Sequence, residues 1–246
     1  MRAFTLATLL ALGAVAPLHA EPLADLRTAL ARLQGGDAIS AGLEIKQSVR
    51  DSGGQKPSAG QVKLNLQSGA QGLQLIFPPE LMQQAEREAQ AHTANPELPT
   101  PLGELLAVVT PTRAAQLLGS APGLLRSLDG ATVKESRGDA LDGKPAQLLV
   151  LDVPGHLSAK QKDDLKHFEG QLKLWLDADG TPLASEETYK FSGRKLLIGF
   201  EGSESSNTRY AVSAGRLVAK TRTSRSSFKG FGEDNETVTT STLSLP

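Results

Sequence analysis

Apolar and polar residues alternate with a period of two along most of this chain. From Gly170 it reads GQLKLWLDADGTPLASEETYKFSGRKLLIGFEG, where Leu172, Leu174 and Leu176 alternate with Gln171, Lys173 and Trp175, and Leu196, Ile198 and Phe200 follow in the same manner. Turn chemistry at Asp179-Gly180, Ser192-Gly193, Ser206-Asn207 and Ala214-Gly215 cuts 170–245 into an antiparallel meander with one face toward a core. Leu43 to Val49, Val62 to Leu66 and Leu73 to Phe77 predict three earlier strands, with a hairpin tip over Asp51 to Gly60. Phe77-Pro78-Pro79 ends that segment, since proline cannot continue a ladder. Thr132 to Ala140 and Pro145 to Val153 predict another pair around Asp142-Gly143. Leu148 to Leu151 is apolar on both parities, which predicts a central strand covered on both faces.

The helical period appears elsewhere. Leu23, Leu26, Leu30 and Leu33 predict a helix from Pro22 to Gln34, stopped by Gly35-Gly36. Glu80 to His92 predicts a charged helix with a thin stripe of Leu81, Met82, Ala85 and Ala89. Three brief helices follow, opened by Thr100-Pro101, Thr110-Pro111 and Ser120. A Ser or Thr cap with proline just inside it is the start signal. Ser158 to Phe168 predicts one more, with a capping box at Ser158 and Gln161. Helices this short are unstable alone and must bury an apolar side on the sheet. The predicted fold is therefore α+β: a mostly antiparallel sheet with helices, the segment 79–128 among them, covering one face.

Residues 1–20 predict a cleaved export signal. Arg2 is followed by an apolar run from Ala3 to Ala16, then Pro17 and the small-residue site Leu18-His19-Ala20. The run is shorter than the roughly 20 residues a membrane span needs. Residues 21–246 form one expected domain. The formal net charge of −1 argues against a dedicated nucleic-acid binder. The chain has no cysteine, which excludes disulfides, thiol nucleophiles, thiolate metal sites and a lipidated cysteine. An exported chain with neither disulfides nor an anchor points to the periplasm.

Candidate chemistry is sparse. His92, His156 and His167 have no metal-ligand spacing, and Asp177-Ala178-Asp179-Gly180 lacks the remaining positions of a calcium loop. Ala38-Ile39-Ser40-Ala41-Gly42 and Ala211-Val212-Ser213-Ala214-Gly215 approach GxSxG, but neither sits at a predicted strand-to-helix elbow. No metal, cofactor or catalytic residue is expected. Arg209, Arg216, Lys220, Arg222, Arg225 and Lys229 form a basic stretch of mixed parity, read as a solvated strand face. Trp175 opposes the leucine row and predicts packing.

Ala41-Gly42-Leu43-Glu44-Ile45-Lys46-Gln47 after the first helix, the strand Gly60-Gln61-Val62-Lys63-Leu64, Leu149-Val150-Leu151-Asp152-Val153-Pro154, and Leu172 to Asp177 with Asp179-Gly180 and Pro182 occur in an order that resembles the periplasmic lipoprotein-carrier (LolA) and RseB-like fold. The resemblance covers 23–78 and about 140–200. Gln47 matches the family's entry into its first strand, and Ile45 stands where the family usually has Phe. No lipid-contacting Arg carries over, because Gln67-Ser68 falls at that place, and 79–128 is more helical than in carriers. The resemblance implies a curved sheet around an apolar cavity and a non-enzymatic carrier of an acyl chain, lipid or lipidated protein, with only transient membrane contact. The alternative is an envelope protein-interaction or stress-sensing module. One parity per strand gives the expected lining: Leu43, Ile45, Val62, Leu64, Leu75, Phe77, Leu172 and Leu174, with Leu102, Leu105 and Leu106 as a lid.

Overall fold

A computed structural model describes residues 22–51, 58–155, 164–195 and 197–246. Ten strands make one sheet: β1 (Ile39–Asp51), β2 (Ser58–Gly69), β3 (Gly72–Ile76), β4 (Thr132–Leu141), β5 (Lys144–Asp152), β6 (Leu165–Leu176), β7 (Pro182–Lys195), β8 (Ile198–Ser213), β9 (Arg216–Gly230) and β10 (Glu233–Ser244). Their order is β3-β2-β1-β10-β9-β8-β7-β6-β5-β4, so the first and last strands meet in the middle. Every pairing is antiparallel, which gives the expected α+β architecture. The described helices are α1 (Pro22–Arg32), α2 (Pro79–Ala94), α3 (Pro101–Val108), α4 (Pro111–Leu118) and α5 (Ala121–Ser127).

Two apolar clusters sit on the helix-bearing face. In the first, Leu43, Ile45, Val62, Leu64 and Leu66 pack against Leu102, Leu105, Leu117 and Leu118. In the second, Leu149, Leu151, Leu172, Leu174 and Leu176 pack against Leu26, Leu30, Leu124 and Leu128. Thus α3 packs on β2 and α4 on β9 and β3, while α1 and α5 pack together over the leucines of β5 and β6. Tyr210 touches both clusters and shares a 2.8 Å hydrogen bond with Ser185. A register shift at Arg209/Tyr210 brings the ring to that junction.

Three expectations are corrected. Leu165 to Phe168 opens β6 instead of closing a helix, and the capping residues Ser158 and Gln161 lie outside the described residues. Ser192-Gly193 and Ser206-Asn207 are not turns; they lie inside β7 and β8, strands of 14 and 16 residues. Ile198 is exposed, not core-facing, and Leu196 lies outside the described residues. Gly193, expected as a break, instead admits an aromatic ring from the opposed strand, and Gly202 and Gly170 do the same. Gly193 stands opposite Phe200, Gly202 opposite Phe191 and Gly170 opposite Tyr189. A Cβ on any of the three would collide with its partner's ring.

The other helix starts fall as expected, although only Thr110 caps through its side chain, with Oγ1 accepting from Arg113 N–H at 3.2 Å. β5 is buried on both parities, yet it lies one strand in from the β4 edge and not at the centre. The hairpin tip between β1 and β2 is shorter than the sequence implies, because β1 runs through Asp51 and β2 starts at Ser58; residues 52–57 lie outside the described set.

Candidate functional site

Strand register places the polar residues of the helix-bearing face. One row across the sheet reads Ile45, Ser241, Arg222, Thr208, Ser185, Leu174, Leu149. The next reads Gln47, Thr239, Ser224, Ser206, Glu187, Leu172, Leu151, and the one beyond it Val49, Thr237, Ser226, Glu204, Tyr189, Gly170. Hydrocarbon occupies both ends of the first row and the β5–β6 end of the second. Between them, β7 to β10 present a belt of hydroxyls with one arginine and two glutamates.

A cavity of about 420 Å³ opens where this belt meets the first apolar cluster. One wall is apolar: Leu43 and Ile45 from β1, and Val108, Val109, Ala114 and Leu117 from the α3–α4 corner. The floor is polar, with Ser224, Ser226, Thr237, Thr239 and Ser241, and it carries the charges of Glu204 and Arg222. Arg113 lines it from α4 and donates from Nη1 to Val108 O at 3.3 Å, which ties the two short helices at their corner. Arg222 donates from Nε to Ser206 Oγ at 2.9 Å, and Gln47 from Nε2 to Thr239 Oγ1 at 3.3 Å. These bonds fix the floor side chains without using up their remaining capacity. Two guanidiniums against one carboxylate leave the polar part of the lining cationic.

Beside the cavity, the Tyr189 hydroxyl donates to Glu187 Oε1 at 2.6 Å, and Ser127 Oγ reaches the same oxygen at 3.4 Å. Burial first, then that hydrogen bond and the Glu187 and Glu204 charges, push the Tyr189 hydroxyl far above the usual phenol range. Burial likewise raises Tyr210. Neither phenol is set to act as an acid or base near neutrality.

The expected lining residues fall in two places. Leu43, Ile45, Val62, Leu64, Leu102 and Leu105 are buried in the first cluster, with Leu75, Phe77 and Leu106 packed on it. Leu172 and Leu174 lie in the second, across the polar belt. Of these residues, Leu43 and Ile45 also border the cavity. The hydroxyl floor escaped the sequence reading because β10 carries Ser and Thr on both parities, so alternation gives no face to choose.

Other candidate groups have structural partners. Arg209 pairs with Asp142 at 3.0 Å and Arg225 with Glu236 at 3.0 Å, while Arg216 donates to Asp37 O at 2.7 Å. The basic stretch is thus dispersed over separate contacts. Trp175 donates to Asp139 Oδ2 at 3.0 Å. Asp177 Oδ1 accepts the Asp179 and Thr181 N–H groups, which accounts for Asp177 to Gly180 as a turn. Ser40 lies in β1 and Ser213 ends β8 at a hairpin, so neither is at a strand-to-helix elbow. His92 bonds Leu98 O on exposed α2, and His156 lies outside the described residues. Among the described residues, no cluster of three or more His, Asp or Glu could hold a metal. Of three larger depressions among the described residues, those of about 640 and 620 Å³ lie mainly on the opposite parity, where Asp152, Gln171 and Lys190, or Glu201, Ser203 and Lys229, face water, and one of about 560 Å³ lies beside Phe200, Gly232 and Glu233.

No family model matches the chain, and no curated protein matches it. Among solved structures, it is similar to the LolA superfamily protein NE2245 from Nitrosomonas europaea. The two share 13% sequence identity over 91% of this chain and 94% of the other, with a TM-score of 0.30. A superposition that loose carries no argument about function.

Proposed function

We propose that the cavity between the α3–α4 corner and the sheet binds an amphiphile: an acyl chain against Leu43, Ile45, Val108, Val109 and Leu117, and a polar, anionic end on the hydroxyl floor beside Arg222 and Arg113. The observation that carries this reading is the two-sided lining, hydrocarbon on one wall and hydroxyls with Arg222 and Glu204 on the other, with Arg113 adding a second guanidinium from α4. Its volume lies within the roughly 300–1,000 Å³ of small-molecule sites. The protein acts here as a non-enzymatic binder or carrier in the periplasm after export, and the ligand leaves as it entered. Lipid or a lipidated protein falls within the same chemistry.

Magnitudes fix the affinity class. About six methylenes on the apolar wall, at about 0.8 kcal/mol each, give about 5 kcal/mol gross. Micromolar binding needs about 8 kcal/mol net of association costs, so the head group must contribute. The test is titration of a fluorescent fatty acid into the parent and into Ile45→Glu. The reading expects saturable binding by the parent and none by the variant, since a carboxylate on that wall must be solvated or neutralised. Circular dichroism establishes that the variant is folded. Absence of binding by the parent, or equal binding by a folded variant, removes the reading.

A further inference from the structure

Past the polar belt, the sheet rows turn aromatic and end at two neighbouring hairpin tips. Phe228, Gly202 and Phe191 stand side by side, then Gly230, Phe200 and Gly193. Phe231, at the β9–β10 tip, stacks on Phe200 with ring centroids 5.8 Å apart, so the two tips touch. Their outermost side chains are large and apolar: Leu197 is 87% exposed, Ile198 48% and Phe231 46%. Leu197 and Phe231 hold φ at 73° and 56°, the left-handed region that glycine or asparagine fills without strain. Leu and Phe at such positions work against both solvation and backbone preference.

Charge divides the two tips. Lys229 stands between Glu201 and Asp234 in register, and Glu233 is exposed next to Asp234, so the β9–β10 tip is acidic. Nearer the β7–β8 tip, Arg194 and Lys195 are exposed, and Lys195 stands opposite Ile198. Cations directly behind protruding apolar side chains match a surface whose head groups are anionic and whose interior is hydrocarbon. A protein partner needs about 800 Å² on each side, and three side chains on two turns fall far short of that. We infer that the β7–β8 tip docks reversibly on an anionic lipid surface, with Leu197 and Ile198 entering the head-group layer and Arg194 and Lys195 facing the phosphates. This inference does not depend on the cavity binding a ligand.

The test is co-sedimentation of the purified protein with vesicles of phosphatidylcholine alone and with phosphatidylglycerol added. The expected result is binding to the anionic vesicles that weakens with salt. Leu197→Asn should weaken it by about tenfold, the size expected for losing one buried apolar side chain. The substitution suits the left-handed backbone at a side chain that is 87% exposed, so its thermal midpoint should equal or exceed the parent's; weaker binding then cannot come from unfolding. Arg194→Gln with Lys195→Gln should abolish the preference for anionic vesicles. No vesicle binding by the parent, binding indifferent to Leu197→Asn, or self-association of the parent that this variant abolishes would each overturn the inference.

Discussion

Ile45 stands directly opposite Ser241 across β1 and β10, and both border the cavity. At that pair the helix-bearing face changes from hydrocarbon to hydroxyl. The boundary lets one cavity hold both ends of an amphiphile.

The α3–α4 corner should respond to occupancy. These helices have eight residues each and are marginal alone, so their amides should exchange faster than those of β5, which is buried on both parities. A fatty acid in the cavity should slow exchange over 108–117 and leave 145–152 unchanged. Hydrogen exchange with and without ligand reads this out; an unchanged corner would mean that the ligand sits elsewhere.

Glycine spacing inside the long strands is a packing requirement. In Gly202→Ala the new methyl would meet the Phe191 ring and Ser227 O, and overpacking of this kind costs about 1–3 kcal/mol. Phe191→Leu in the same chain should return part of the loss, and a double-mutant cycle in urea measures that coupling.

Alkaline pH should unfold the protein through its buried phenols. Tyr189 and Tyr210 both hold their protons more tightly folded than unfolded. Their contribution is therefore full below the ordinary tyrosine value of 10.0 and is lost as pH rises through the elevated folded values. Urea midpoints should be level from neutrality to about that pH and fall above it, and Tyr189→Phe should flatten the decline.

The fold was legible wherever one parity was apolar: Leu43 and Ile45, Val62 and Leu64, and Leu172 to Leu176 all face the helices as alternation requires. Proline placement located α3 and α4 equally well. Legibility failed where side chains gave no contrast. Thr237 to Ser241 is hydroxyl-bearing on both faces, so only pairing with β1 and β9 reveals the cavity floor. It failed also at Gly193, where a turn-like dipeptide accommodates the Phe200 ring. Both are long-range facts of register, which local pattern does not contain.

Native mass spectrometry of the protein released gently from expressing cells tests the central claim most directly, run beside Thr239→Trp, which fills the cavity from its floor. The account predicts one amphiphile adduct per parent chain, dissociating as a mass with an anionic head and an acyl chain, and a bare variant of unchanged thermal midpoint. A parent that is bare both as isolated and after incubation with fatty acid, or an adduct carried equally by Thr239→Trp, would contradict it.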